Sequence, residues 1–256
     1  MNAATKAHVR CLAAVLALAP LLAACGGGSD EHSDGQGSFG AAELSGGDGG
    51  AHIMITTDNG LRLRPTDGSR ATVDQDIDHH WSHHDHTWVL DLTCTTDDDG
   101  DRPCPRMPEV DVPDGAAVTV RARNAGIDAA GVDAALDLTT VNGDVVVDGS
   151  GRADAPMRLV TRNGSVRTSA VRASQLHAAT VNGDVLAQCA TSPRHITAAT
   201  TNGSVDTAVP HDSPTYRVTA TTDNGRAYVT LPTGEASSDR TMALTTVNGD
   251  VRAHRD

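Results

Sequence analysis

The chain has 256 residues, a formal charge of −13 and 38% hydrophobic residues, but only 2% aromatics. One Phe, two Trp and two Tyr cannot fill an aromatic core, so the interior must be thin and packed by Val, Leu, Ile, Ala and Thr. Acidic groups outnumber basic ones by 33 to 20, a surface that repels phosphate backbones and argues against nucleic acid as a partner.

The first predicted element is a leader at residues 1–24. Lys6, His8 and Arg10 form a basic start, and Cys11 to Ala24 is an apolar run of about 14 residues, too short for a membrane-spanning helix and suited to a secretion signal. The run ends in Leu22-Ala23-Ala24-Cys25, which resembles a bacterial lipobox. The resemblance implies a lipoprotein signal peptide and acyl chains on Cys25. Several chains on one residue anchor stably where a single chain would not. The expected location is the extracytoplasmic face of the cell membrane, where disulfides can form. Residues 25–50 follow as a stalk. Ten of the 25 positions from 26 to 50 are Gly, interleaved with Ser, Asp and Glu, and only Phe39 and Leu44 are bulky and apolar. Such a segment buries too little surface to offset its ordering entropy.

From residue 51 to 256 one repeat dominates. Asn-Gly recurs at Asn142-Gly143, Asn163-Gly164, Asn182-Gly183, Asn202-Gly203, Asn224-Gly225 and Asn248-Gly249. Six, four and two residues before these Asn stand apolar, apolar and Thr, as in Leu136, Leu138 and Thr140, or Ile196, Ala198 and Thr200. Three residues after the Asn comes Val145, Val166, Val185, Val205, Ala227 or Val251. Two further copies surround Asn59-Gly60 and the degenerate Asn124-Ala125-Gly126. Alternation of period two predicts half-buried strands, and Asn-Gly supplies the positive φ of a sharp corner. Asn-Gly also suits a hairpin meander, but a meander does not need one signature at every turn, whereas stacked coils do. The expected fold is all-β: a parallel β-solenoid, like a single-stranded β-helix, of about eight coils of ~20 residues with Asn-Gly corners. The residue after Asn-Gly runs Asp144, Ser165, Asp184, Ser204, Arg226, Asp250. Stacked in that order, no two carboxylates oppose each other, and like charges in opposed positions destabilise neighbouring strands.

Lipobox, Gly-rich stalk and repeated Thr-x-Asn-Gly-Asp/Ser-Val together resemble the bacterial putative-adhesin family of unknown function, the toast-rack β-solenoids. Actinobacterial lipoproteins of that group are similar in a second place, a strand, two Cys around a short loop, and Val-x-Val-Pro-x-Gly. Here these are Leu90-Asp91-Leu92-Thr93-Cys94, Cys104, and Val110-Asp111-Val112-Pro113-Asp114-Gly115. The resemblance covers about residues 51–256. It implies adhesin-like binding or scaffolding and carries over no catalytic residue.

The candidate sites fall on and around this frame. A segment inserted at about 66–115 holds five of the twelve His, His79, His80, His83, His84 and His86. His beside carboxylates suits Zn²⁺ or Cu²⁺, and in a strand His84 and His86 would share a face; a polar loop leading into the strand Trp88–Leu92 is the plainer reading. Thr95 to Asp101 hints at a calcium loop, but aligning Gly100 with the central Gly of an EF-hand leaves Thr95 and Arg106 where carboxylates are needed. Cys94 and Cys104 flank a Pro-rich turn and are expected to pair, leaving Cys189 buried and inert. Asp144 and Asp184, two coils apart at roughly 10 Å, hint at a glycosidase pair, yet they sit on a recurring structural turn without an aromatic platform. Asp184 is expected on the exposed flank, contributing under about 0.5 kcal/mol. No cofactor is expected. The predicted activity is non-enzymatic binding to a cell-wall polymer or envelope protein, with membrane contact through the lipid. The alternatives are an envelope sensor or metal-handling lipoprotein using the His segment, and a polysaccharide-active enzyme.

Overall fold

The computed structural model describes residues 41–43, 51–74, 77, 79–93, 107–233 and 239–256. Cys25, Cys94 and Cys104, the leader and most of the stalk lie outside the described residues, as does the loop from Thr95 to Asp101. Within them the first strands are β1 (Ala41–Glu43), β2 (His52–Thr56), β3 (Leu61–Thr66), β4 (Arg70–Val73), β5 (His80–His84), β6 (Thr87–Asp91) and β7 (Glu109–Pro113). The middle of the chain forms β8 (Ala117–Arg121), β9 (Ile127–Ala130), β10 (Ala135–Thr139), β11 (Val145–Asp148), β12 (Pro156–Val160), β13 (Val166–Val171), β14 (Gln175–Ala179) and β15 (Val185–Cys189). The last are β16 (His195–Ala199), β17 (Val205–Val209), β18 (Arg217–Asn224), β19 (Ala227–Val229), β20 (Thr241–Asn248) and β21 (Val251–Arg255).

Each repeat gives two strands, one on either side of its Asn-Gly corner, and the strands stack into two sheets. The eleven-stranded sheet has the order β1-β4-β7-β3-β9-β11-β13-β15-β17-β21-β19, and the ten-stranded sheet β18-β20-β16-β14-β12-β10-β8-β2-β6-β5. Pairing between successive coils is parallel and in register, so Leu138, Leu159, Ala178, Ala198 and Leu244 form one row and Val145, Val166, Val185, Val205 and Val251 another. Both rows are fully buried. This is the parallel β-solenoid that the repeat predicts. Its two sheets enclose a single layer of aliphatic side chains, which is why five aromatics suffice. Each buried Val or Leu contributes about 1.5–3 kcal/mol, and the array repeats that contribution coil by coil.

The coils do not stack in sequence order at either end. The last coil, β20/β21, inserts between β16/β17 and β18/β19. At the other end β2/β3 lies between β8/β9 and β6/β7, so the segment expected as an insert supplies a ninth layer. Antiparallel strands cover that end: β5 pairs with β6, and β4 pairs with β7 and β1.

Candidate functional site

The repeated corner is built from three hydrogen-bond ladders. Two residues before the Asn, the Thr hydroxyl donates to a carbonyl of the neighbouring coil: Thr140 to Ala125, Thr161 to Gly143, Thr180 to Gly164, Thr200 to Gly183, Thr246 to Gly203 and Thr222 to Gly249, at 2.7–2.8 Å. The Asn side chains form the second ladder. Nδ2 of Asn163, Asn182, Asn202, Asn248 and Asn224 donates in turn to Oδ1 of Asn142, Asn163, Asn182, Asn202 and Asn248, at 2.8–2.9 Å. Glycine is required between the ladders. Gly183 has φ +144°, and a Cβ there would lie 2.2 Å from the Gly164 carbonyl oxygen.

The third ladder uses the residue after Asn-Gly. Asp144 Oδ1 accepts the Ser165 N–H at 2.7 Å, Ser165 Oγ accepts the Asp184 N–H at 3.2 Å, and Asp184 Oδ1 accepts the Ser204 N–H at 2.8 Å. Ser204 Oγ then accepts the Asp250 N–H at 3.2 Å and Asp250 Oδ1 the Arg226 N–H at 2.9 Å. The stacking order is therefore Asp144, Ser165, Asp184, Ser204, Asp250, Arg226, not the sequence order, because β20/β21 is the inserted coil. The order in space alternates acid with Ser and ends on Arg beside Asp250. Asp184 is exposed, as expected, and its carboxylate is in addition a backbone acceptor between coils.

Asn59 and Asn124 stand apart from the Asn ladder. The Asn59 N–H bonds to Thr57 Oγ1 at 3.1 Å, the Asn124 N–H to the Asp58 carbonyl at 2.9 Å.

The geometry disfavours acid–base chemistry at the corner. Burial pushes the Asp144 carboxyl up, but the Ser165 N–H and the hydrogen bond and charge of Arg167 outweigh it and hold the group below its ordinary value. A general acid needs the opposite shift. Cys189 is free and buried, and burial with the nearby Asp256 charge pushes its thiol up to about 12, so it stays protonated and unreactive.

The His segment forms a hairpin rather than a loop. Asp85 and His86 are its two-residue turn, with φ of 46° and 66°, so His84 and His86 do not share a strand face as expected. Antiparallel pairing puts His80 opposite Asp91 and His84 opposite Thr87, on one face, while His83 stacks on Trp88 on the other, ring centroids 4.5 Å apart. His79 Nδ1 lies 2.7 Å from the Ile77 carbonyl oxygen. Among the described residues no three His, Cys, Asp or Glu side chains converge on a metal-sized site.

The most distinctive outer surface is one the repeat signature hides. Four residues after Asn124 and after each Asn of the ladder, the side chain points outward from the eleven-stranded sheet. In-register pairing lines up Asp128, Val146, Arg167, Leu186, Asp206, Arg252 and Tyr228, one per coil. At about 4.8 Å per coil the row runs about 29 Å along the stack. Leu186 and Tyr228 are each 40% exposed, among the most exposed large apolar side chains described. Asp206 anchors the middle, bonding His254 Nε2 at 2.9 Å and Arg252 at 3.5 Å. The row was missed in the sequence because its residue types vary, and that variation at a fixed repeat position was the available signal.

Two solved structures were found similar in outline. One is a "putative cell adhesion protein" from Clostridium sporogenes, with 8% identity and a TM-score of 0.32, over 83% of this chain and 97% of that one. The other is a "putative adhesin" from Bacteroides fragilis, with 12% identity and a TM-score of 0.41, over 84% and 95%. No curated protein matches the chain. The family model described as Toastrack DUF4097 matches residues 118–254, from β8 to β21, which is more than half of the sequence. The chain belongs to the Toastrack DUF4097 family.

Proposed function

We propose that this chain is a non-enzymatic lipoprotein of the cell envelope that binds or scaffolds through the outer face of its eleven-stranded sheet. In this reading acylated Cys25 anchors it on the extracytoplasmic side of the membrane, residues 25–50 act as the stalk, and Cys94 and Cys104 close the loop between β6 and β7. The observation that carries the reading is the outward row at Asp128, Val146, Arg167, Leu186, Asp206, Arg252 and Tyr228. It mixes apolar, cationic and anionic groups, one per coil at a fixed spacing, which suits an extended cell-wall polymer or the strand of an envelope protein lying along the stack. The corner residues, by contrast, are engaged in holding coil to coil, and Asp144 is held ionised, which weighs against a polysaccharide-active enzyme. The contacts of His79 with the Ile77 carbonyl and of His83 with Trp88 weigh against a metal-handling role.

Fractionation tests the anchor. Cys25→Ala should move the protein from the membrane fraction to the medium, and retention after a salt wash would contradict the lipid assignment. Turnover assays on cell-wall glycans test the rest: the full chain should show none above buffer, and a rate abolished by Asp144→Asn would replace binding with catalysis.

A further inference from the structure

The six Asn-Gly pairs of the ladder share a sequence but not an environment. In five of them the Gly N–H donates to the Asn carbonyl of the neighbouring coil: Gly143 to Asn163, Gly164 to Asn182, Gly183 to Asn202, Gly203 to Asn248 and Gly249 to Asn224, at 2.8–3.1 Å. Those five glycines are half-buried, whereas Gly225 is exposed. Gly225 lies in the last coil of the stack, β18/β19, and among the described residues its N–H has no hydrogen-bond partner. Thr233, which bridges Tyr216, lies at the other end of β18, about 26 Å from this corner. Asn224 is one-sided in the same way. Its Nδ2 donates to Asn248 Oδ1 at 2.9 Å, but its own Oδ1, unlike that of the other five Asn, receives no donor among the described residues.

The difference bears on a reaction that needs only the chain and water. Asn before Gly can cyclise, because glycine has no side chain to hinder the approach of its backbone nitrogen to the Asn amide. The Gly225 nitrogen gives its proton to hydroxide and attacks Asn224 Cγ. The N–Cγ bond forms, the Cγ–Nδ2 bond breaks, and Nδ2 takes a proton from water and leaves as ammonia. Water then opens the five-membered imide. Breaking the new N–Cγ bond leaves Asp at 224; breaking the original peptide C–N bond leaves an isoaspartyl link that runs through the side chain. In an interior coil the Gly N–H must first be released from its acceptor, and the coil is bonded on both sides. The seventh pair, Asn59-Gly60, also has no bonded Gly N–H among the described residues, but Gly60 is buried beneath Met107 and Ala125.

We propose that Asn224-Gly225 is a spontaneous deamidation site, the one Asn-Gly corner that converts to aspartyl and isoaspartyl forms in the folded protein, and that the conversion loosens the end coil. Asn248 Nδ2 is already donated to Asn202 at 2.8 Å. A carboxylate at 224 therefore meets the acceptor Asn248 Oδ1 where the amide had donated to it, and it adds an anion beside Asp223. The isoaspartyl form also lengthens the backbone by one carbon between β18 and β19. That displaces the Asn224 carbonyl and the Arg226 N–H, which bond to Gly249 and Asp250 at 3.1 and 2.9 Å.

The test is to age the full chain at mildly alkaline pH, native in non-ionic detergent and unfolded in denaturant, and to follow Asp and isoaspartyl formation by peptide mass spectrometry. In the native chain Asn224 should convert at least about tenfold faster than Asn59, Asn142, Asn163, Asn182, Asn202 or Asn248. In denaturant the seven rates should converge to within about threefold, because the protection comes from the stack. Asn224→Asp tests the consequence. It should speed hydrogen exchange at the Gly249 and Val251 amides, which bond to the Asn224 and Arg226 carbonyls, at least about fivefold, and leave the Gly164 amide unchanged. Native Asn224 converting no faster than the interior five, a denatured chain with the same preference, or unchanged exchange at Gly249 and Val251 would overturn the proposal.

Discussion

Replacing Gly183 with Ala tests the corner more sharply than any side-chain deletion. The new Cβ would sit 2.2 Å from the Gly164 oxygen, 2.6 Å from its carbonyl carbon and 3.0 Å from the Ser165 nitrogen, all backbone. Coil and neighbour would have to separate there by about 1 Å to restore van der Waals contact. Four bonds cross that gap: Gly164 N–H to the Asn182 carbonyl at 2.9 Å, Thr180 Oγ1 to the Gly164 carbonyl at 2.7 Å, Asn182 Nδ2 to Asn163 at 2.9 Å, and Asp184 N–H to Ser165 at 3.2 Å. Losing two or three of them costs about 2–4 kcal/mol, beyond about 1–2 kcal/mol for an L-residue at positive φ. Gly149→Ala is the control. It has φ +54° but nothing within 4 Å of its Cβ position, so only the backbone cost remains. Equilibrium denaturation followed by far-UV circular dichroism should therefore separate the two variants by about 2–4 kcal/mol. A difference below about 1 kcal/mol would refute the close-approach argument.

Asp184→Ala should cost about 1 kcal/mol by orphaning the Ser204 N–H, while Asp184→Asn, which keeps an acceptor, should cost less than half of that in the same melts. His177 has its pKa lowered by burial and by the Arg158 charge. Its unfolded form therefore binds a proton first, and stability should decline as pH falls below about 6.5 and level off under the native pKa. His177→Gln should flatten that decline, and an unchanged slope in pH-dependent melts would exclude His177 as its source. Cys189 should resist a thiol reagent in the native protein and react at once in denaturant; peptide mapping should find it unbridged and Cys94 joined to Cys104.

Much of this fold is legible from local chemistry. Thr180, Asn182 and Gly183 announce strand, ladder and corner because each position has one physical job repeated in every coil. What local pattern cannot convey is the order in which coils meet. Nothing near Asn248 distinguishes an appended coil from one inserted between Asn202 and Asn224, since the same ladder bonds form either way. The ninth layer, β6/β7, was also hidden, because its two strands are separated by the Cys-containing segment and share no Asn-Gly corner. The candidate binding face was harder still. Arg167, Leu186, Asp206 and Arg252 are ordinary exposed strand residues in sequence and become a row only once the register is fixed. The His segment misled in the opposite sense: a dense cluster in sequence is divided by a tight turn between two faces of a hairpin.

The most direct test of the central claim, that binding belongs to the sheet exterior and the corners only to the fold, is a binding isotherm of the full chain on isolated cell envelopes. Leu186→Arg, which alters the middle of the row without touching a ladder, should weaken binding at least about tenfold, while Asp184→Ala should leave the isotherm within about twofold. Binding lost with Asp184→Ala and unaffected by Leu186→Arg would place the function at the corners and contradict the account.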